Sequence, residues 1–225
     1  MEPNRQSAET RQKILEAASR LFADNGYRGT TIEMIVRAAG VNIAAVNYHF
    51  GGKESLYQQT WRHAHDQLMA AVPPHGGVAA DEPVAKRLRG WIQAGLRRAM
   101  LGDAIELKIM RNEMANPTGL LRQVIDDAIR PIRNATQALL RELLGPRASR
   151  LDIELCEVCL IAPLMHVAGH RQAQKHEGLA PVFHEEMLDV MTEHFTAYAL
   201  AGIRQIRRRL AKSGSRRRRA KGRPA

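Results

Sequence analysis

The segment Thr30–Leu56, TTIEMIVRAAGVNIAAVNYHFGGKESL, constrains local folding more than any other part of the chain. It reads as two short helices joined by a tight turn. The first, Ile32 to Ala38, follows a pair of threonines whose hydroxyls can cap its free amides. With Thr30 as the cap, Glu33 occupies the reciprocal position of a capping box. Ala38-Ala39-Gly40-Val41 is the turn, Gly40 supplying the backbone freedom to reverse direction and Val41 filling the angle between the helices. Asn42 then caps the second helix. There Val46 and Phe50, four apart, form one buried stripe, so Asn47, Tyr48 and His49 face mostly elsewhere. Ala44 and Ala45 leave its opening turn without bulk. Such a helix fits a DNA major groove, where Asn reads adenine, small residues meet thymine methyls, and Tyr and His reach bases or phosphates. Lys53, after a Gly-Gly pair at the start of a further helix, suits a phosphate. The expected DNA-contacting set is Thr30, Thr31, Asn42, Ala44, Ala45, Asn47, Tyr48, His49 and Lys53. The plainer alternative is a three-helix packing unit with Tyr48 and His49 as ordinary surface residues.

Around this segment the periodicity is helical throughout. Residues 1–8 read as a disordered arm, and Thr10–Asn25 as an amphipathic helix with Ile14, Ala18, Leu21 and Phe22 on one face, stopped by Asn25-Gly26. Glu54–Val72 carries Leu56, Tyr57, Trp61 and Leu68. Pro73-Pro74-His75-Gly76-Gly77 is the clearest boundary signal. A second helical unit follows, with elements over Val84–Met100, Ala104–Met114, Leu120–Leu144, Arg150–Lys175 and Pro181–Leu210. Pro131, inside the third of these, predicts a kink or break because its ring removes a backbone donor. The last two helices carry apolar faces (Leu151, Leu155, Cys159, Ala162 and His166 on one; Met187, Met191, Phe195 and Tyr198 on the other) with little chain left to cover them. A two-fold four-helix interface through Leu155, Cys159, Ala162, Met187, Met191, Phe195 and Tyr198 answers that shortage, packing within one chain being the alternative.

The net charge of +11 belongs to one end of the chain. From Arg204 onward there are eleven basic residues and no acid; removing them from the 34 Lys and Arg leaves 23, equal to the 23 Asp and Glu. The body is therefore formally neutral, and residues 211–225 read as a disordered Arg-rich tail. That tail also supports a rival reading, a non-specific nucleic-acid binder. The N-terminus lacks an apolar run with a cleavage site, and the most apolar stretch, Leu155–Gly169, is interrupted by Glu157, Pro163 and His166. A cytoplasmic chain with no stable membrane insertion is expected. Two cysteines, Cys156 and Cys159, do not make a disulfide framework.

Several motifs in register carry a resemblance. Arg11, Ile14, Leu15, Ala17, Ala18, Leu21 and Phe22, then Gly26, Tyr27, Thr30 and Thr31, then Ala39-Gly40-Val41, then Tyr48, Phe50, Lys53 and Leu56 resemble the DNA-binding domain of TetR-type transcriptional regulators. The order Asn47-Tyr48-His49-Phe50 departs from the usual recognition helix, so base preference does not carry over. Beyond it, Arg111-Asn112-Glu113-Met114-Ala115-Asn116-Pro117-Thr118, Ile129-Arg130-Pro131, Leu143-Leu144-Gly145, His194 and Leu200-Ala201-Gly202 resemble the C-terminal domain of the CecR-like subgroup, as does the run Asn47–Glu54. Between Ile161 and Gly178 the likeness weakens: Leu164–His170 stands where the subgroup usually carries Gly-Gln-Cys. The resemblance implies an all-α chain with a three-helix DNA-binding domain over 8–68 (helix-turn-helix about 31–50) and a helical ligand-binding and dimerisation domain over 78–210. It further implies a homodimeric regulator, a repressor released from a palindromic operator by a small-molecule effector, some relatives neighbouring efflux or drug-response genes. Trp61, His65, Trp91, Met110, Arg111, Met114, Met165 and His166 fall where helices of that family surround a pocket.

Cys159, His166 and His170 share a predicted helix face, and thiolate with imidazole suits zinc or copper. One straight helix rarely wraps a metal unaided, so no metal and no cofactor is assigned. For catalysis the chain offers no nucleophile elbow, phosphate-cradling glycine loop or zinc-protease motif, and an enzyme is not expected.

Overall fold

The computed structural model describes residues 3–101, 104–177, 183 and 185–221. Among them every regular element is helical: α1 (Pro3–Asn25), α2 (Ile32–Ala39), α3 (Ile43–Phe50), α4 (Lys53–Ala71), α5 (Val84–Met100), α6 (Ile105–Ala115), α7 (Arg122–Leu144), α8 (Arg150–Glu177), a 3-10 turn at Glu185–Met187, and α9 (Leu188–Lys221). No described helix is long and apolar enough to cross a membrane.

The chain divides into two compact units, residues 1–71 with 103–130, and residues 72–102 with 131–225. This cuts across the expected division at 68–78, because α6 and the first turns of α7 belong with α1–α4. The core of the first unit shows why: Ile109, Leu121 and Ala128 are buried in one cluster with Ile14, Phe22, Ile35, Val46, Phe50, Tyr57 and Trp61. In the second unit α5 packs against both α8 and α9. Leu88, Ile92 and Leu96 of α5 meet Leu139–Leu144 of α7, Leu160 and Leu164 of α8, and Met191 and Ile203 of α9. Gly95 allows the close approach, since a Cβ there would lie 2.5 Å from Leu164 Cδ1.

Helix ends follow local chemistry. Gly26 (φ 68°) and Gly40 (φ 66°) take the left-handed conformation that ends α1 and α2. Ser149 and Asp152 form a reciprocal cap on α8: Asp152 N donates to Ser149 Oγ, while Ser149 N and Oγ donate to Asp152 Oδ2. Those bonds hold the Asp152 carboxyl below its ordinary pKa.

Three expectations from the sequence are corrected. The segment read as an N-terminal arm is helical from Pro3, where an Arg5–Glu9 pair at i,i+4 supports the extra turns. Pro131 does not break α7, which is one helix from Arg122 to Leu144; the boundary between the two compact units falls beside it, at 130–131. The basic tail was expected to be disordered from 211, yet α9 continues to Lys221; Ala, Arg and Lys are good helix formers, and Pro224 stands beyond that end.

Candidate nucleic-acid interface

The helix-turn-helix is built from short-range bonds. Thr31, extended at φ −109°, caps α2 by accepting from Met34 N at 3.2 Å. Thr30, expected as the cap, has the other role: it is fully buried, and its hydroxyl lies 3.1 Å from Leu21 O and 2.8 Å from Gly26 O, within reach to donate to either. Thr30 thus ties the end of α1 to the start of α2 and is withdrawn from any DNA surface. The turn closes through Val41 N donating to Val36 O at 3.1 Å. Asn42 caps α3, its Oδ1 accepting from Ala45 N at 2.9 Å, and Gly51 ends α3 at φ 75° with its N–H on Asn47 O. Val46 and Phe50 face the core. Asn42, Ala44, Asn47 and Tyr48 are exposed, Ala45 and His49 half-exposed, and Tyr48 reaches 82% exposure. The Tyr48 ring stands edge-on to His49, centroids 4.9 Å apart. An eight-residue helix whose exposed surface carries Ile43, Ala44, Asn47 and Tyr48, with His49 half-exposed, presents donors, acceptors and apolar edges of the kinds that read base edges.

Lys53 opens α4 with Nζ 4.2 Å from the centroid of Tyr27, a cation–π contact that holds the ammonium on the ring. Partial burial lowers its pKa. Arg11 lies over Phe50, with Cζ 5.0 Å from the centroid, and bonds Gln59 Oε1 at 2.7 Å, so α1 grips the end of α3.

A brace from far along the chain, absent from the sequence reading of the interface, completes this unit. Asn112 of α6 donates from Nδ2 to Phe22 O at 3.2 Å and Ala23 O at 2.9 Å, satisfying carbonyls near the end of α1. Glu113 accepts from Tyr57 OH at 3.2 Å and from the N–H groups of Thr118 and Gly119 at 2.9 and 3.0 Å. Burial first, then the Glu113 carboxylate, raises the Tyr57 pKa above the ordinary phenol value. Tyr57 also packs on Phe22 and Tyr27, with centroids at 4.8 and 5.0 Å. The sequence signal was there, in Asn112-Glu113 and Thr118, but nothing local says which distant carbonyl an amide will cap.

Comparison with known proteins decides the family. Residues 14–60 match the family described as bacterial regulatory proteins, tetR family, and residues 84–203, more than half of the chain, match the C-terminal domain of the HTH-type transcriptional dual regulator CecR. The chain belongs to the tetR family of bacterial regulatory proteins. It is 30% identical over 139 residues to the HTH-type transcriptional repressor AcnR of Corynebacterium efficiens, a match covering 59% of this chain and 69% of that one. To the HTH-type transcriptional regulator BetI of Burkholderia thailandensis it is 33% identical over 84 residues, 37% of this chain and 43% of that protein. In fold it is similar to the fatty acid degradation regulator FadR of Bacillus halodurans (TM-score 0.62, 17% identity, 91% of this chain and 98% of that one). A transcriptional regulator from Rhodococcus sp. Rha1 is comparable (TM-score 0.60, 21% identity, 87% and 96%). This TetR-family chain is a DNA-binding regulator and not an enzyme.

The remaining residues singled out in this regulator fall in separate places. Of the expected pocket, Trp61, His65, Met110, Arg111 and Met114 lie in the first unit, and Trp91, Met165 and His166 in the second. Trp61 and His65 are buried and stacked, centroids 5.0 Å apart, with His65 Nδ1 3.8 Å from the buried Glu106 carboxylate. Met114 and Met165 are well exposed. Of the expected interface, Leu155, Cys159, Ala162 and Tyr198 are exposed. Met187 and Phe195 are half-buried against the core, and Met191, at 5% exposure, is inside it. His166 and His170 pack edge-to-face with each other and with Phe183, at 5.9, 6.4 and 5.5 Å. Among the described residues no three His, Cys, Asp or Glu side chains come together to hold a metal ion. Cys156, buried, has its thiol pKa raised by desolvation.

Proposed function

We propose that this regulator binds a palindromic operator as a cytoplasmic homodimer, represses the gene it controls and releases DNA when a small molecule binds, with efflux or drug-response genes as candidate targets. The observation that carries the DNA reading is α3: Val46 and Phe50 anchor it, Asn42 and Gly51 define its ends, and Asn47 and Tyr48 stand clear of the protein. Thr31, Asn42, Ala44, Ala45, Asn47, Tyr48, His49 and Lys53 form the contact set, Lys53 on a phosphate and the α3 residues on base edges.

The homodimer rests on the exposed side of α8 and α9. Leu151, Leu155, Val158 and Met165 form a stripe at helical spacing, each more than half exposed, and Tyr198 of α9 is 77% exposed. Leu155 and Cys159 border the same apolar groove, about 540 Å³, as Phe195, Tyr198 and Gly202. Apolar stripes of this extent favour burial against a second copy, and a two-fold pair of recognition helices reads two half-sites where one reads few bases. Repression is the role stated in the name of the related AcnR.

The test is a footprint on the DNA flanking the gene, searched for an inverted repeat, followed by anisotropy on that duplex and on a scrambled one. Protection of two half-sites about one helical turn apart supports the reading; equal affinity for both duplexes overturns it. A second reading, non-specific binding through the basic tail, draws on the seven Lys and Arg between Lys212 and Ala225. Deleting 212–225 separates the two: a tail acting as a polyelectrolyte lowers affinity for both duplexes by similar factors and flattens the salt dependence.

A further inference from the structure

The loop between α4 and α5 is clamped onto α5 by two glycines. A Cβ on Gly76 would lie 2.2 Å from Gly90 O, and one on Gly90 would lie 2.5 Å from Val78 Cγ2 and 2.8 Å from His75 O. Such backbone approach admits no side chain at either position. The clamp makes the loop a fixed wall facing the second half of α7. Between them is a cavity of about 680 Å³ lined by Val78, Trp91, Ile132, Ala135, Thr136 and Leu139, among others. That volume lies in the range of small-molecule sites, roughly 300–1,000 Å³.

Polar side chains of the lining are engaged with the protein, beginning with His75, whose Nδ1 accepts from Gly77 N at 3.0 Å. Trp91 Nε1 donates to Thr136 Oγ1 at 2.9 Å, and the Thr136 hydroxyl donates to Ile132 O at 3.0 Å. Arg87 gives Nε to Glu82 O and pairs through Nη2 with Glu142. A charged ligand would compete with these partners, whereas a neutral aromatic ring can pack on Trp91 and the aliphatic part of the lining without displacing any of them. The chain passes between its compact units at 71–72, 102–103 and 130–131. Pro74 and Pro131, close behind the first and last of those crossings, both belong to the lining.

From this arrangement we infer that the cavity walled by residues 74–80, α5 and α7 binds a small, neutral, aromatic molecule, and that this molecule is the effector. Binding at this site stands on the cavity; the effector role rests on the regulatory reading above. Occupancy would bear on the first residues of the second unit at two of its three connections, where a small displacement changes how the chain enters and leaves it.

The probe is N-phenyl-1-naphthylamine, neutral and fluorescent in apolar surroundings, compared with 8-anilinonaphthalene-1-sulfonate, a near relative carrying a negative charge. The full-length protein is expected to bind the neutral probe saturably, at least about tenfold more tightly than the anionic one. Ala135→Trp and Ala79→Trp fill the cavity from opposite walls. Both positions are exposed, so the variants should keep the thermal midpoint, and each should weaken the neutral probe about tenfold or more. Unchanged affinity in both folded variants, or equal affinity for the two probes, overturns the site. Operator binding without probe is measured separately. A protein that binds probe in the Ala135-sensitive way but fails to bind operator sinks the regulatory reading and leaves the site standing. One that binds operator equally well with and without saturating probe sinks the effector role.

Discussion

The two units treat apolar surface in opposite ways. In the first, the exposed large apolar side chains of α2 and α3 (Met34, Ile43 and Tyr48) flank polar groups on a short, fully capped helix pair. In the second, Leu151, Leu155, Val158 and Met165 repeat along one side of α8, and Leu155 shares a groove with Tyr198 of α9. The first pattern suits a polar, grooved target such as duplex DNA, where a few precise groups read edges. The second suits another apolar surface, since each Leu or Val left in water forgoes about 1.5–3 kcal/mol of burial. One helical periodicity thus serves two purposes, and what separates them is whether polar residues interrupt the apolar side.

The strongest way to break the contrast is to put a charge into the α8 stripe. Val158→Glu, exposed in the single chain and so tolerated by its fold, is expected to give a folded monomer by light scattering, because an unpaired carboxylate cannot be buried at an apolar interface. Operator affinity should fall by about 10²–10⁴, the factor that linking two sites confers. A dimer of normal affinity would move the interface elsewhere. Asn47→Ala and Tyr48→Ala sharpen the other side: each should weaken operator binding by about 1–3 kcal/mol with the thermal midpoint held. If both variants bind normally, α3 is not the reading helix.

Smaller effects probe how the first unit is braced. Tyr57→Phe removes the bond to Glu113 and should cost about 1 kcal/mol of stability by denaturant titration. The raised Tyr57 pKa means that the unfolded chain ionises first as pH climbs past the ordinary phenol value near 10. The stability contributed by the neutral phenol is present below that pH and lost above it, so the Phe variant should show a shallower alkaline decline than the parent. The least visible change is at Lys53. Replacement by Ala should weaken all duplexes alike and lower the salt slope by about 1, whereas sequence-selective loss would place Lys53 at a base edge.

Much of the interface was legible in the chain because the bonds that shape it are short. The Asn42 cap, the Gly40 turn and the Val46–Phe50 stripe each involve residues within four positions, and α5 begins and ends where its apolar period does. Even there a choice between neighbours was beyond local reasoning. Thr30 and Thr31 are chemically equal as caps, and the tie is broken by Leu21 O and Gly26 O, which claim Thr30 once α1 has packed.

What the sequence determined by itself is the run of helices, the Asn42 cap and the exposed character of α3, since helix hydrogen bonds and side-chain period are local quantities. Tertiary structure alone decided the partners. Asn112 reaches carbonyls 89 and 90 residues away, α6 joins the DNA-binding unit, Met191 turns inward while Tyr198 turns out, and Gly76 meets Gly90 to wall a cavity. An amphipathic helix states that one face will be buried; which surface covers it depends on close packing among elements distant in sequence, and no short-range rule contains that information.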